Sequence, residues 1–284
     1  MIQIENLSFG YSRKLPLFQN LNLTLSYGHI YGLLGKNGAG KSTLLKNMVG
    51  LNYPQAGRCL FRGVDVANRS PELLADLFFL PEEIYVLSQT VNRFVSNTAC
   101  FYPKFDVQLF HRLLNEFEVP QTAFLNQLSF GQQKKVMISF SLATNTSFLV
   151  MDEPTNGLDI PSKVQFRRII ASILNEDRCI IISTHQVRDL DSLIDTVVVL
   201  HNREVILNEA LDSIAERLYF TTVADTTGLK VLYEEESYRG KQVILPNDEG
   251  RFSKIDLELL FNALISGNQF LTQPPILNYY EKFI

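Results

Sequence analysis

Ile30-Tyr31-Gly32-Leu33-Leu34 runs without a break into Gly35-Lys36-Asn37-Gly38-Ala39-Gly40-Lys41-Ser42-Thr43. The apolar run has the length of a buried strand, and the loop after it satisfies the phosphate-loop pattern of glycine, four residues, then Gly-Lys-Ser. Glycines let the backbone turn tightly and aim successive N–H groups inward, so loop and helix start together form a positively biased anion cradle. From the end of the loop Lys41 can reach β- and γ-phosphates, and the Ser42 hydroxyl can ligate Mg²⁺. Leu44, Leu45, Met48 and Val49 recur at helical spacing directly afterwards. The stretch predicts a nucleoside triphosphate site, with Gly35, Asn37, Gly38, Ala39, Gly40, Lys41, Ser42 and Thr43 around the phosphates.

Further segments carry chemistry. Phe148-Leu149-Val150-Met151 reads as a buried parallel strand delivering Asp152 and Glu153 to its C-terminal end, where open α/β sheets bind ligands. Beside a phosphate loop, Asp152 is placed to orient Mg²⁺ through its water shell and Glu153 to polarise an attacking water. In isolation such a pair can equally cap a turn. Cys179-Ile180-Ile181-Ile182 reads as another buried strand, followed by Ser183-Thr184-His185. A lone histidine there is as readily structural as catalytic. Leu128-Ser129-Phe130-Gly131-Gln132-Gln133 opens a helix with Val136, Met137, Phe140 and Ala143 at apolar positions and Ser129 as its N-cap.

Taken in order, these segments resemble the ATP-binding cassette (ABC) ATPases, from about Ile2 to Ala210. Leu128 to Gln133 is similar to the family's signature sequence, with Phe130 where glycine is usual. Phe148 to Pro154 resembles its Walker B strand, Asn156-Gly157-Leu158-Asp159 its D-loop, and Ser183-Thr184-His185 its switch-histidine motif. The resemblance implies ATP and Mg²⁺ as cofactors, catalytic roles for Lys41, Glu153 and His185, and metal contacts from Ser42 and Asp152. It further implies that Ser129, Gly131, Gln132 and Asp159 serve the nucleotide of a second copy, so the site is completed only in a head-to-tail dimer. Tyr11, in Leu7-Ser8-Phe9-Gly10-Tyr11, lies in a segment similar to the adenine-stacking loop; packing within a sheet is the other reading of that ring. Glu82, in Leu80-Pro81-Glu82-Glu83, stands where the family usually has a glutamine touching the metal and the attacking water. It can offer Mg²⁺ an oxygen or be a plain turn carboxylate.

The expected fold is an α/β P-loop NTPase core with a parallel sheet, an antiparallel β subdomain and a helical lobe at about 81–144. Together these form an ABC ATPase domain at 1–210, followed by a small C-terminal α+β appendage at 211–284. Within the lobe, Asp106 caps a helix bearing Leu109, Phe110, Leu113, Leu114 and Phe117. The aromatics Tyr85, Phe94, Phe101, Tyr102 and Phe105 are mostly core, with one or two left for docking. Phe166, Ile169, Ile170, Ile173 and Leu174 mark a later helix, and Thr196 to Leu200 a strand. In the appendage, Tyr219–Val223, Lys230–Tyr233 and Gln242–Leu245 read as strands, Glu234-Glu235-Glu236 as a solvated turn and Asp256–Ile265 as a helix. Pro274-Pro275 suggests an extended tail.

A chain of 284 residues, 46% hydrophobic, can bury a large core and a small one. Its net charge of −4 gives no electrostatic reason to expect a specific nucleic-acid partner. Three cysteines, Cys59, Cys100 and Cys179, without paired spacing argue against disulfides or zinc. The N-terminus has no charged leader before an apolar core, and no apolar run approaches the ~20 residues needed to span a bilayer. The resemblance then implies a cytoplasmic subunit, peripheral at the inner face of the membrane through a separate permease, without direct insertion. Phe101-Tyr102-Pro103-Lys104-Phe105-Asp106, together with the proline-glutamate hinge, resembles the bacterial type-two exporter ATPases in particular. A soluble, nucleotide-gated interaction switch is the other function this sequence allows.

Overall fold

The computed structural model describes residues 1–12, 15–190 and 192–267. The chain divides into two compact units, Met1–Val205 and the segment from Ile206 onward.

The first unit holds two sheets. β1 (Ile2–Phe9) and β2 (Phe18–Leu25) pair antiparallel, and β3 (His29–Leu34) leads into the phosphate loop and α1 (Lys41–Met48). β4 (Ala56–Phe61) and β5 (Val64–Asp65) complete an antiparallel sheet of order β2-β1-β4-β5. The short α2 (Pro71–Leu74), capped by Ser70, precedes β6 (Leu77–Leu80). Then come α3 (Val91–Thr98), α4 (Val107–Glu116), α5 (Phe130–Ala143), β7 (Phe148–Asp152), α6 (Ile160–Ile173), β8 (Cys179–Thr184) and β9 (Thr196–His201). Strands β9-β3-β8-β7-β6 lie side by side in that order, and every neighbouring pair is parallel. Their near-continuous burial explains the unbroken apolar runs, because a parallel sheet is covered on both faces.

The expected capping of the lobe helix is observed: the Asp106 side chain accepts from Leu109 N. Phe94, Tyr102, Phe105 and Phe110 gather around Phe140 of α5, with ring centroids 4.9–6.3 Å away. Tyr85 and Phe101 instead point outward, 90% and 68% exposed. Leu174, grouped with the later helix by its spacing, is an extended residue just past the end of α6.

β10 (Glu204–Ala210) contains the division between the two units. The second unit adds α7 (Leu211–Arg217), β11 (Leu218–Val223), β12 (Tyr233–Ser237), β13 (Gly240–Pro246) and α8 (Leu257–Ile265), with an antiparallel sheet of order β11-β13-β12. Here two sequence expectations fail. Residues 230–232 precede the strand, and Val231 N bonds Leu229 O in a local turn. Pairing starts at Tyr233, so Glu234, Glu235 and Glu236 lie in β12 and not in a turn. An edge strand tolerates this charge because alternate residues face water, and Lys241 of β13 draws in Glu234 at 2.7 Å and Glu236 at 3.8 Å. The true turn is Tyr238-Arg239, closed by Gly240 at φ 121°. Pro274-Pro275 falls outside the described residues.

Candidate nucleotide site

Strand register brings the predicted segments together. Leu34 is level with Thr184, Asp152 with Ser183, and Leu80 with Met151. The C-terminal ends of four parallel strands therefore present the phosphate loop, the 183–185 segment, the Asp152-Glu153 pair and the Pro81-Glu82 turn along one edge. An open cavity of about 520 Å³ lies there, lined among others by Tyr11, Lys36, Asn37, Gly38, Gly40, Ser42 and Thr43. That volume suits a nucleotide-sized ligand, the usual range being roughly 300–1,000 Å³.

The loop is built by its glycines. Gly40 is the residue before α1, at φ 107°, and a Cβ there would meet the Phe18 ring at 2.9 Å, so only glycine fits. No side chain caps α1 and no acidic residue sits in its first turn, which leaves the N–H groups of that turn available to an anion. Lys41 is buried, and its Nζ donates to Gly35 O at 2.8 Å. Burial lowers its pKa below the ordinary lysine value, and Glu153, Asp152 and Glu82 act in the opposite direction.

Glu153 is the centre of a polar cluster. Its carboxylate accepts from Thr184 Oγ1 at 3.1 Å, lies 2.9 Å from His185 Nδ1 and stands 4.0 Å from Lys41 Nζ. Its backbone sits at φ 46°, a conformation that costs a non-glycine residue on the order of 1 kcal/mol and recurs where geometry serves function. Asp152 lies deeper and accepts from Ser183 Oγ at 2.5 Å. Glu82 lines the cavity and accepts from Asn156 Nδ2 at 3.0 Å, so it is held in place and is not a free turn carboxylate. Tyr11 is 73% exposed, bonds Thr43 through its hydroxyl at 3.0 Å and meets Phe9 edge-on, a ring free on one face. The donors available to a metal, the Ser42 hydroxyl and the Asp152 and Glu82 carboxylates, are hard oxygens of the kind Mg²⁺ takes. Among the described residues no three His, Cys, Asp or Glu form a cage.

Other predicted residues lie elsewhere. Gly35 and Ala39 support the loop from behind and do not line the cavity. Ser129 and Gln132 form a reciprocal capping box at the start of α5. Asp159 caps α6 by accepting from Ser162 N at 2.9 Å. The Phe130 ring, 48% exposed, covers Gly157, where a Cβ would come within 2.7 Å of it. A Cβ at Gly131 would be 2.9 Å from Gly157 O. The α5 start and the 156–159 turn thus make one surface, and neither lines the cavity.

Reasoning from the sequence missed several contributors. Lys134 is fully buried, with its Nζ donating to Glu82 O at 2.7 Å; its pKa is lowered by burial and pulled back up by Glu82, Asp152 and Glu153. Asp189 accepts from Thr155 Oγ1 at 2.7 Å and Lys163 Nζ at 2.8 Å, bracing both sides of the 156–159 turn. A lysine inside a helix and an aspartate four residues after a histidine carry no local signal of such contacts.

The loop on β3, the acidic pair on β7 and the histidine after β8 define a P-loop nucleotide-binding fold. The family model described as "ABC transporter" matches residues 18–156. An uncharacterized ABC transporter ATP-binding protein of Haemophilus influenzae is 32% identical over 211 residues, 70% of this chain and 80% of its own. ABC transporter ATP-binding protein YtrB of Bacillus subtilis is 26% identical over 239 residues, covering 84% of this chain and 81% of its own. A solved ATP-binding subunit of an ABC transporter superposes with a TM-score of 0.69 at 26% identity, over 75% of this chain and 91% of that one. The chain belongs to the ABC transporter ATP-binding proteins. Among the described residues no helix is long and apolar enough to cross a membrane.

Proposed function

We propose that this cassette binds Mg-ATP in the cavity over α1, pairs head to tail with a second copy of itself, and drives a separate membrane permease in the export direction. The observation that carries this reading is the convergence of Lys41, Glu153 and His185 at an uncapped helix start. In this scheme Lys41 exchanges its contact with Glu153 for the phosphates, Glu153 orients the attacking water, and His185 holds Glu153 and the γ-phosphate side. Ser42, Asp152 and Glu82 would hold Mg²⁺, whose chemistry is to neutralise charge on the phosphates. Tyr11 offers its open face to the adenine. The start of α5 lies outside the cavity and would face the partner copy's nucleotide, Gly131 through its backbone and Ser129 on giving up its cap, with Gln132 and Asp159 serving the same nucleotide. Tyr85 and Phe101 offer exposed aromatic area to a permease. The cassette is then cytoplasmic and peripheral, held at the inner face of the membrane by that partner. The export direction rests on the Phe101–Asp106 resemblance.

Expressing the chain with and without a six-span membrane protein lacking its own ATPase, where a neighbouring reading frame encodes one, then floating the membranes on a density gradient, tests this; absence of such a frame favours the soluble switch. Co-flotation only with that protein, and a change in ATP turnover on pairing, is expected. A chain that stays off the membrane and hydrolyses ATP equally in both cases would favour the soluble switch.

A further inference from the structure

Lys134 lies within a helix that the cavity does not include, yet it is fully buried. Taking an ammonium out of water is costly unless something compensates it. Among the described residues, no carboxylate oxygen lies within 4.0 Å of its Nζ. That atom donates to Glu82 O at 2.7 Å and Pro81 O at 3.4 Å, both in the turn that leaves β6. It also stands 6.0 Å from the centre of the Phe130 ring.

Residue 82 is therefore gripped twice. Lys134 holds its main chain, and Asn156 holds its carboxylate, which lines the cavity. The two grips are joined in turn, because Phe130, one helical turn before Lys134, covers Gly157, the neighbour of Asn156. The α5 start, the 81–82 turn and the 156–157 segment form a closed circuit of contacts around one acidic side chain. Glu82, Asp152 and Glu153 bring three carboxylates to a site that must accept a polyanion, and Lys41 answers only part of that charge.

We propose that Lys134 is a positioning residue that acts through Glu82: it fixes the Pro81-Glu82 turn so that the Glu82 carboxylate faces the nucleotide, and its charge offsets that carboxylate from behind. The proposal rests on the reading of this cavity as the nucleotide site. It explains why a glutamate is tolerated at position 82, and it makes residues 82 and 134 interdependent.

The test uses the full chain and a fluorescent ATP analogue, titrated in EDTA and again in Mg²⁺, with thermal unfolding as a control for folding. Lys134→Met is expected to weaken binding in EDTA at least fivefold. Adding Glu82→Gln to it should restore affinity to within about twofold of Glu82→Gln alone, because the uncompensated charge is gone. Lys134→Arg, which keeps the charge and the donors, should stay within about threefold of the parent. Where Lys134→Met does not fold, Lys134→Gln carries the same comparison. Parent-like binding by a folded Lys134→Met protein overturns the proposal. So does an equal loss whether residue 82 is Glu or Gln, the outcome of a purely structural lysine. Lys41→Ala, run alongside, separates the two levels: undiminished binding there would overturn the site itself, whereas loss there without coupling between 82 and 134 overturns only the role of Lys134.

Discussion

Helix α1 follows Gly40 with no side chain over its first N–H groups, whereas α5 follows Ser129 with a capping box that satisfies two donors, Ser129 N and Gln132 N. Both starts are electropositive ends of helix dipoles. Only the first lacks a side-chain cap, and it faces the cavity with Lys41 and Ser42 beside it. The second spends its hydroxyl on Gln132 N at 3.3 Å and its backbone N–H on Gln132 Oε1 at 3.1 Å. An open start is ready for a ligand from its own chain. A capped start is stable alone, and its serine hydroxyl would have to leave Gln132 N to meet a phosphate brought by another molecule.

The variant with the largest expected effect separates chemistry from binding at the open start. Glu153→Gln should retain ATP while turnover falls on the order of 10²- to 10⁴-fold, the scale of a lost general base. If the capped start joins the partner's nucleotide, unspent ATP should also hold two copies together, visible by light scattering. A strictly monomeric variant at saturating Mg-ATP would leave the capped start without a nucleotide to serve. Next comes Lys41→Ala, which removes the ammonium from the open start. Bonds to charged groups contribute about 1.5–3 kcal/mol, so affinity for a fluorescent ATP analogue should fall roughly 10- to 150-fold.

Ser129→Ala strips the cap from α5. Loss of such a cap costs about 1 kcal/mol, which should appear as a lowered denaturant midpoint in the nucleotide-free chain. ATP affinity of the isolated chain should not change, since Ser129 is outside the cavity. A shift in that affinity would mean the two starts share one pocket. The smallest effect belongs to Glu82→Gln, which keeps an oxygen for Mg²⁺ and removes one negative charge. At a partly exposed position this is worth about 0.2–1 kcal/mol, so Mg-ATP should bind a few-fold more tightly with turnover preserved. Turnover as low as in Glu153→Gln would make Glu82 a base in its own right.

The open start could be read directly from the residues because everything it needs is consecutive: a strand, a glycine loop, a lysine and a hydroxyl. The parallel sheet was equally plain, since strands buried on both faces must be apolar throughout. Parts of the second unit were misread for the opposite reason. Glu234 to Glu236 have no apolar alternation, and only pairing to β13 makes them a strand. Lys134 and Asp189 were invisible, and Asn156, named by motif, gave no sign of its contact with Glu82, because the partners lie far along the chain. His185 could be placed by motif, but its contact with Glu153 is a property of β7 lying beside β8.

Arg178 bears on how this scaffold melts. It is buried just before β8, and its guanidinium donates to Leu142 O, Thr146 O and Ile173 O, closing the C-terminal ends of both α5 and α6 along with the entry to β7. Helix ends normally fray independently, residue by residue, and their amide protons exchange early with solvent. Here one planar fork serves both ends through separate nitrogens, Nη2 to α5 and Nη1 to α6, so unwinding either last turn loosens the group that also holds the other. Fraying at the C-terminal ends of α5 and α6 is thereby coupled, and a lysine, whose donors all radiate from one nitrogen, could not span both ends in the same way.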